Sequence, residues 1–189
     1  MAQDPESEPT PFGLRSPYAP AREVRVDLPP GLIGDPNVLG ASQQCTAAEL
    51  AGLACPNGSQ IGRARVFAEG IKITVLLPIY MMRPPGGEKV ARMGIAVPGS
   101  GPIYIEIEVR SEDDYGLTAT VFAPFAFPLI RTETTLWGVP ADPAHDTERC
   151  TPEESWNNFA RFQCPGPPAR APLPSSPTRP AAAFRWRCE

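Results

Sequence analysis

The residue best placed in this sequence for acid–base or metal chemistry is its single histidine, His145, with Asp142 three positions before it and Asp146 directly after it. A histidine beside carboxylates can act as a general base or contribute to a metal-ligand pair. The same residues also fit a helix start, because Asp142 precedes Pro143 at a first helical position and carboxylates stabilise a helix N-terminus. The sequence favours the helix start, with His145 on the surface. A Ser-His-Asp hydrolase would also need a marked nucleophile, and Ser100 lies in Gly-Ser-Gly rather than in a Gly-x-Ser-x-Gly elbow.

Three consecutive acids, Glu112, Asp113 and Asp114, could supply oxygen ligands to a hard cation such as Ca²⁺. Acids at the tip of a hairpin are more commonly solvated, and this interpretation is preferred. The cysteines include no C-x-x-C pair, which disfavours zinc, and no glycine-rich phosphate loop is present. The sequence therefore predicts no metal and no cofactor, and favours a protein that is not an enzyme.

Aromatic side chains offer another chemistry, because their rings can stack on sugar rings. The candidates for such stacking are Tyr104, Tyr115, Phe125, Phe127 and Trp137. A carbohydrate- or cell-wall-binding module is the alternative function that they support. More commonly such residues belong to the core of a β-sandwich or to contacts between modules, which is the interpretation that we prefer.

Four of the five cysteines flank short segments in pairs. Cys45 and Cys55 lie on either side of a predicted helix, and Cys150 and Cys164 flank a later segment in the same way. We expect Cys45 to pair with Cys55, which would stabilise the fold by ~2–4 kcal/mol; two free, partly buried thiols are the alternative. A disulfide favours an oxidising compartment.

Residues 1–20 are acidic and proline-rich and lack the apolar core of a signal peptide. We interpret them as a disordered leader, and the chain as a piece of a longer exported protein.

The elements that must position these residues are mainly strands. Residues 24–66 predict a strand, a Pro/Gly turn, a short helix that starts with a Thr46–Glu49 capping box, and a second strand. Residues 71–82 and 90–97 form a predicted hairpin. The clearest strand is 103–110, in which Ile103, Ile105, Ile107 and Val109 alternate with polar residues.

The order of these elements predicts a fold class. A return strand at 117–121 closes a hairpin with 103–110, and 130–139 is the last predicted strand. Strands of similar length joined by Gly/Pro turns predict a mainly β fold: an antiparallel β-sandwich (Ig-like or jelly-roll-like) or an open barrel, with one or two short helices. We expect a single domain at 21–164. Residues 165–189 are low in complexity and predicted to be disordered.

Charge and hydropathy restrict the partners. The chain has 17 Lys and Arg against 21 Asp and Glu, a formal net charge of -4, and the arginines form no stripe. Nucleic acid is therefore not an expected partner. No apolar run approaches the ~18 residues that a membrane-spanning helix needs.

Four phrases carry a resemblance to a known kind of protein: VDLPPGLIGDPNVLGASQQC, CPNGSQIGRARV, DYGLTATV and TLWGVPADPAHD. Residues 21–149 resemble repetitive secreted proteins of high-GC actinobacteria that are rich in Ig-like or other β-sandwich modules and share LPPGL-x-GDPN and LWGVPADP-x-HD motifs. The resemblance implies a secreted or cell-surface location, no assigned activity, and neighbouring modules or cell-surface components as partners. This chain departs from the pattern because it lacks a signal peptide and the β-rich segments that usually precede the first motif.

The tail can be compared with the same proteins. When residues 174–189 are back-translated with suitably chosen codons and read in a shifted frame, the product resembles the strand that follows the second motif. A frameshift is therefore one interpretation of the tail.

Overall fold

The computed structural model of the chain describes residues 21–32, 35, 39–40, 42–68, 75–84, 90–97, 101–111, 114–122, 129–151, 154–155 and 184–188. The strands within these residues are β1 Glu23–Asp27, β2 Gln60–Ala68, β3 Val75–Met82, β4 Ala91–Val97, β5 Gly101–Val109, β6 Leu117–Phe122, β7 Leu129–Leu136 and β8 Phe184–Cys188. The helical segments are α1 Ala47–Ala51 and two 3₁₀ helices, Asn57–Ser59 and Pro143–Glu148.

All eight described strands belong to one sheet, in the order β1-β6-β5-β4-β3-β2-β7-β8. Each neighbouring pair is antiparallel, from β1 with β6 to β7 with β8. The sheet curls into an open half-barrel. The predicted mainly antiparallel β fold with short helices is confirmed, and its strands form one continuous curved layer.

One face of the sheet, here called the core face, carries the larger hydrophobic cluster. Strand alternation places every second side chain on this face, as the sequence of β5 indicates. Its buried members are Leu39, Ile61, Ala64, Val75, Leu77, Ile79, Met81, Met93, Ile95, Val97, Ile103, Ile105, Ile107 and Ala119. The prediction for Ile103, Ile105 and Ile107 is confirmed. Val109 continues the alternation but is 48% exposed, because β5 ends there.

Strand β3 passes through Pro78 without interruption. Every residue of β3 is buried. Pro78 lies opposite Arg63 of β2, whereas the pairing of β3 with β4 covers Tyr80 to Met82 only. Proline has no backbone N–H to give to a ladder. The ladder with β4 is therefore absent where the donor is missing, and the strand continues on its β2 side.

The predicted tail of 165–189 contains one element that the sequence interpretation missed. Residues Phe184–Cys188 form β8, which pairs with β7 from Thr132–Cys188 to Leu136–Phe184. The expectation of disorder is wrong for these five residues. The sequence FRWRC alternates apolar and charged residues, which is the period of a strand. The residues before it are rich in proline, a composition that favours disorder and outweighs this short strand signal.

Candidate functional site

The face opposite the core face, here called the clip face, is covered by two segments that contain cysteines. The first clip is the segment Cys45–Cys55, whose two cysteines form the predicted disulfide, with Cα atoms 5.3 Å apart. The predicted capping box is also confirmed: Glu49 N donates to Thr46 Oγ1 at 3.2 Å, and Thr46 N donates to Glu49 Oε2 at 2.8 Å. Cys45 N donates to Met81 O at 2.9 Å, which attaches the clip to β3.

Helix α1 approaches the sheet closely at Gly94 of β4. A Cβ atom at Gly94 would collide with Leu50 Cδ2 and Met82 Sδ. Leu50 is 1% exposed, and it belongs to a second hydrophobic cluster with Cys45, Cys55, Tyr80, Met82 and Ala96. The first clip is thus packed on the sheet by apolar contacts as well as by hydrogen bonds.

The second clip is the segment Trp137–Cys150, which contains the candidate residues around His145. Asp142 caps the 3₁₀ helix Pro143–Glu148, and its Oδ1 accepts from Ala144 N at 2.9 Å, as the sequence predicts. Arg149 follows this helix and is buried, with its Nε donating to Asp146 Oδ1 at 3.2 Å. Its other nitrogens donate to the carbonyl oxygens of Pro140 and Gln60. One guanidinium therefore joins the two ends of the clip to strand β2.

His145 is a packing partner of Trp137. The two rings stack in parallel, with centroids 4.4 Å apart and planes at 4° to each other. The Arg149 guanidinium lies over the Trp137 ring at 5.2 Å, in cation–π geometry. His145 Nδ1 lies 3.9 Å from a Glu148 carboxylate oxygen. The His145 side chain is partly exposed, with one face of its ring covered by the indole.

Tyr80 of β3 contacts both clips. Its side chain is fully buried in the cluster beneath the first clip, and its hydroxyl donates to Cys150 O at 2.5 Å. Burial raises the pKa of Tyr80, which keeps the phenol protonated as a donor. Cys150 N donates in turn to Gln60 Oε1 at 2.9 Å. Cys150 is also disulfide-bonded, and Cys164, its predicted partner, lies outside the described residues.

Replacing Tyr80 by phenylalanine tests this connection. The variant keeps the ring in the core but leaves Cys150 O without its buried donor, so we expect the free energy of unfolding to fall by about 1–2 kcal/mol. Urea unfolding of the oxidised protein measures the change. Tyr104→Phe is the matched control, since Tyr104 is partly exposed on β5. Equal losses in the two variants would contradict a special role for the Tyr80 hydroxyl.

The residues that build this arrangement were only partly visible in the sequence. Asp142 and the capping residues carry local signals, whereas Tyr80 stands in a long apolar run and Gln60 carries no signal at all. Arg149 follows Asp146 by three positions, a spacing that allows a helical ion pair. That spacing was the signal that could have found it.

The five candidate stacking aromatics are not brought together. Trp137 is buried between His145 and Arg149, so its faces are covered. Tyr115 is 78% exposed at the β5–β6 connection. Tyr104 lies five residues before the end of β5, about 16 Å along the strand, and Arg92 lies over its ring at 5.1 Å. Phe125 and Phe127 are outside the described residues.

Asp114, the described member of the three acids between β5 and β6, is bound by an arginine. Arg110 donates to both carboxylate oxygens of Asp114, from Nε at 3.0 Å and from Nη2 at 2.7 Å. Gly116 N donates to the same carboxylate at 2.9 Å. Glu112 and Asp113 lie outside the described residues. Among the described residues, no group of three or more His, Cys, Asp or Glu side chains is arranged to hold a metal ion.

This ion pair predicts an acid-sensitive contribution to stability. The hydrogen bonds from Arg110, and then that from Gly116, lower the pKa of Asp114 from 3.8 to about 2. A carboxyl with a lowered folded-state pKa stabilises the protein above its unfolded pKa and loses that contribution as the pH falls. We therefore expect the stability difference between wild type and Asp114→Asn to shrink from pH 4 towards pH 2 in thermal melts.

The cause is checked by repeating the acid series with Arg110→Met as the parent protein. Without the guanidinium, Asp114→Asn should change the slope of melting temperature against pH by less over this range, because only the hydrogen bond from Gly116 N still lowers the pKa of Asp114. A slope change of the same size in both backgrounds would show that Arg110 is not responsible.

The described helices are all too short to cross a membrane. Comparisons with protein-family models, with curated proteins and with solved structures give no match to this chain. The function must therefore be argued from the clip face and the sheet themselves.

Proposed function

We propose that the chain is a structural or adhesion module of a secreted or cell-surface protein, and that it contacts neighbouring modules or surface components rather than transforming a substrate. The observation that carries the proposal is the use made of the residues around the lone histidine. Trp137, His145 and Arg149 stack on one another, and Asp142 caps the adjoining helix. The side chains that could have served acid–base chemistry thus hold the second clip, with its 3₁₀ helix, onto the sheet.

The oxidised cysteines support an exported location. Cys45 and Cys55 are 0% and 3% exposed and form a disulfide, and Cys150 is also disulfide-bonded. Such bonds persist in oxidising compartments and are rare in the cytosol. Cys45, Cys55 and Cys150 lie in the segments that cover the clip face, so these bonds support the attachment of the clips to the sheet.

Alkylation of the exported protein tests the location. Denatured without reductant, the chain should take up one alkyl group, because two disulfides use four of its five cysteines. After reduction it should take up five. Mass spectrometry reads the difference. Three or more alkyl groups without reductant would contradict an oxidised exported module.

A second candidate, a carbohydrate- or cell-wall-binding module, is favoured by one observation. Tyr104 and Phe122 are cross-strand partners, so their rings occupy the same face of the sheet. Phe122 is 43% exposed and Tyr104 is partly exposed. Two neighbouring rings with an arginine over one of them could stack on a sugar.

A glycan array and a pull-down on isolated cell walls separate the two candidates. The structural proposal expects no saturable glycan binding by the oxidised protein. Binding that is lost in Phe122→Ser but kept in Val139→Ser would overturn it in favour of the second candidate. Val139 is the matched control because it is 45% exposed and lies beyond β7.

A further inference from the structure

Strand β7 has two different neighbours, and one of them covers it only in part. On one side, β2 pairs with β7 from Gly62–Leu136 to Ala68–Leu129. On the other side, β8 pairs with the segment Thr132–Leu136 alone. The residues Thr132–Leu136, here called the β7 edge, therefore form the boundary between the folded sheet and a strand supplied from the far end of the chain.

Strand β8 is attached to the fold through that edge. Among the described strands, β8 forms its ladder with β7. Residues 156–183 separate β8 from Ser155, the last described residue before it, so the connection is 28 residues long. A strand held by one ladder and a long connection can leave its edge without disturbing the ladders of β1 to β7.

An unoccupied edge of this kind is a template for another strand. Edge N–H and C=O groups that lose their partner can pair with any extended segment of suitable length, which is the basis of β-strand addition. The segment best matched to the β7 edge is the one that already fits it in register. A second copy of the chain carries the same segment on an equally long connection.

We propose that the β7 edge is a strand-acceptor site and that Phe184–Cys188 of a second copy can occupy it, which produces a strand-exchanged dimer. The exchange adds no new type of contact, because each copy forms the same ladder with its partner's strand. The tethered strand competes with the same strand from outside at its effective concentration, on the order of mM for linked segments. The dimer should therefore form at high protein concentration. This inference is independent of the proposed function.

Energy transfer between donor- and acceptor-labelled copies, labelled at the N-terminal amine, tests the proposal. Three mixtures are compared: two full-length copies, one full-length copy with one copy truncated before Ala182, and two truncated copies. We expect the mixed pair to give the most transfer, because its empty edge has no tethered competitor. Two truncated copies should give none. Transfer in the mixed pair no greater than that in the truncated pair would overturn the proposal.

The full-length pair keeps the test decisive if the truncated copy fails to fold, which circular dichroism will show. Without any peptide, two full-length copies should show energy transfer, and its absence would overturn the proposal. A peptide of residues 182–189 with Cys188→Ser should then abolish that transfer. Peptides with Arg185→Pro and Trp186→Pro are the matched controls. Alternate N–H groups of an edge strand point towards its neighbour, so one proline peptide should compete and the other should not. Equal competition by both would show that no ladder forms.

Discussion

Ile107→Glu is expected to destabilise the protein by about 4 kcal/mol or more, enough to unfold it under mild conditions. Ile107 is 7% exposed and belongs to the cluster of the core face. It lies opposite Ala91 of β4 and Ala119 of β6, in the middle of three paired strands. A carboxylate there would lose its hydration among the apolar side chains of that cluster. Thermal and urea unfolding measure the loss.

Val109→Glu is the matched control for this prediction, since it introduces the same charge two residues later on the same strand. Val109 is 48% exposed, so we expect a change within about 0.5 kcal/mol. Equal losses at positions 107 and 109 would contradict the assigned core face.

Thr118→Glu examines the face of the sheet opposite the core face. Thr118 is 1% exposed, and its hydroxyl donates to Asp27 Oδ1 at 2.6 Å. Glu108 is its cross-strand partner. A carboxylate at 118 would lose the bond and meet two other acids, so we expect a loss of about 2 kcal/mol. This face does not tolerate a charge at position 118, because the side chain there is buried.

Arg149→Met is expected to have the second largest effect, a loss of about 3–5 kcal/mol. The arginine is 2% exposed, and it supplies donors to Asp146, Pro140 and Gln60. Methionine would retain much of the apolar volume but leave these acceptors without their buried donor. It would also remove the cation that covers one face of the Trp137 ring. Urea unfolding monitored by circular dichroism measures the loss of stability.

Arg25→Met is the matched control, because it removes the same group from an exposed position. The Arg25 side chain is 63% exposed and lies 3.9 Å from Asp27. A surface ion pair of this kind contributes about 0–1 kcal/mol. A loss at Arg149 as small as that at Arg25 would show that the second clip is not held by its buried arginine.

Several features of this protein were determined locally and were therefore readable from the sequence. The alternation of Ile103, Ile105 and Ile107 requires only that one face of a strand be buried. The Thr46–Glu49 capping box and the Asp142 cap are bonds between residues three or fewer positions apart. Cys45 and Cys55 lie at the two ends of one short helix, so their pairing needs no knowledge of distant strands.

Other features were decided by residues that are far apart in the chain. Thr118 is buried because Asp27 and Arg110 reach over it, and the alternation of β6 contains no information about either. Tyr80 meets Cys150 across 70 positions, and Gln60 meets it across 90. Pro78 is tolerated within β3 because the ladder with β4 covers other residues.

The same distinction accounts for the candidate site. The sequence placed His145, Asp142 and Asp146 near one another, since they are neighbours in the chain, but it could not reveal that an indole would cover the imidazole. Stacking depends on the path of the backbone from Trp137 around the 3₁₀ helix and on the buried Arg149 that closes that path. Local patterns determine hydrogen-bonded caps and strand faces, because these need only nearby atoms. The tertiary structure decided what those residues contact, because burial depends on segments that the sheet brings together from distant parts of the chain.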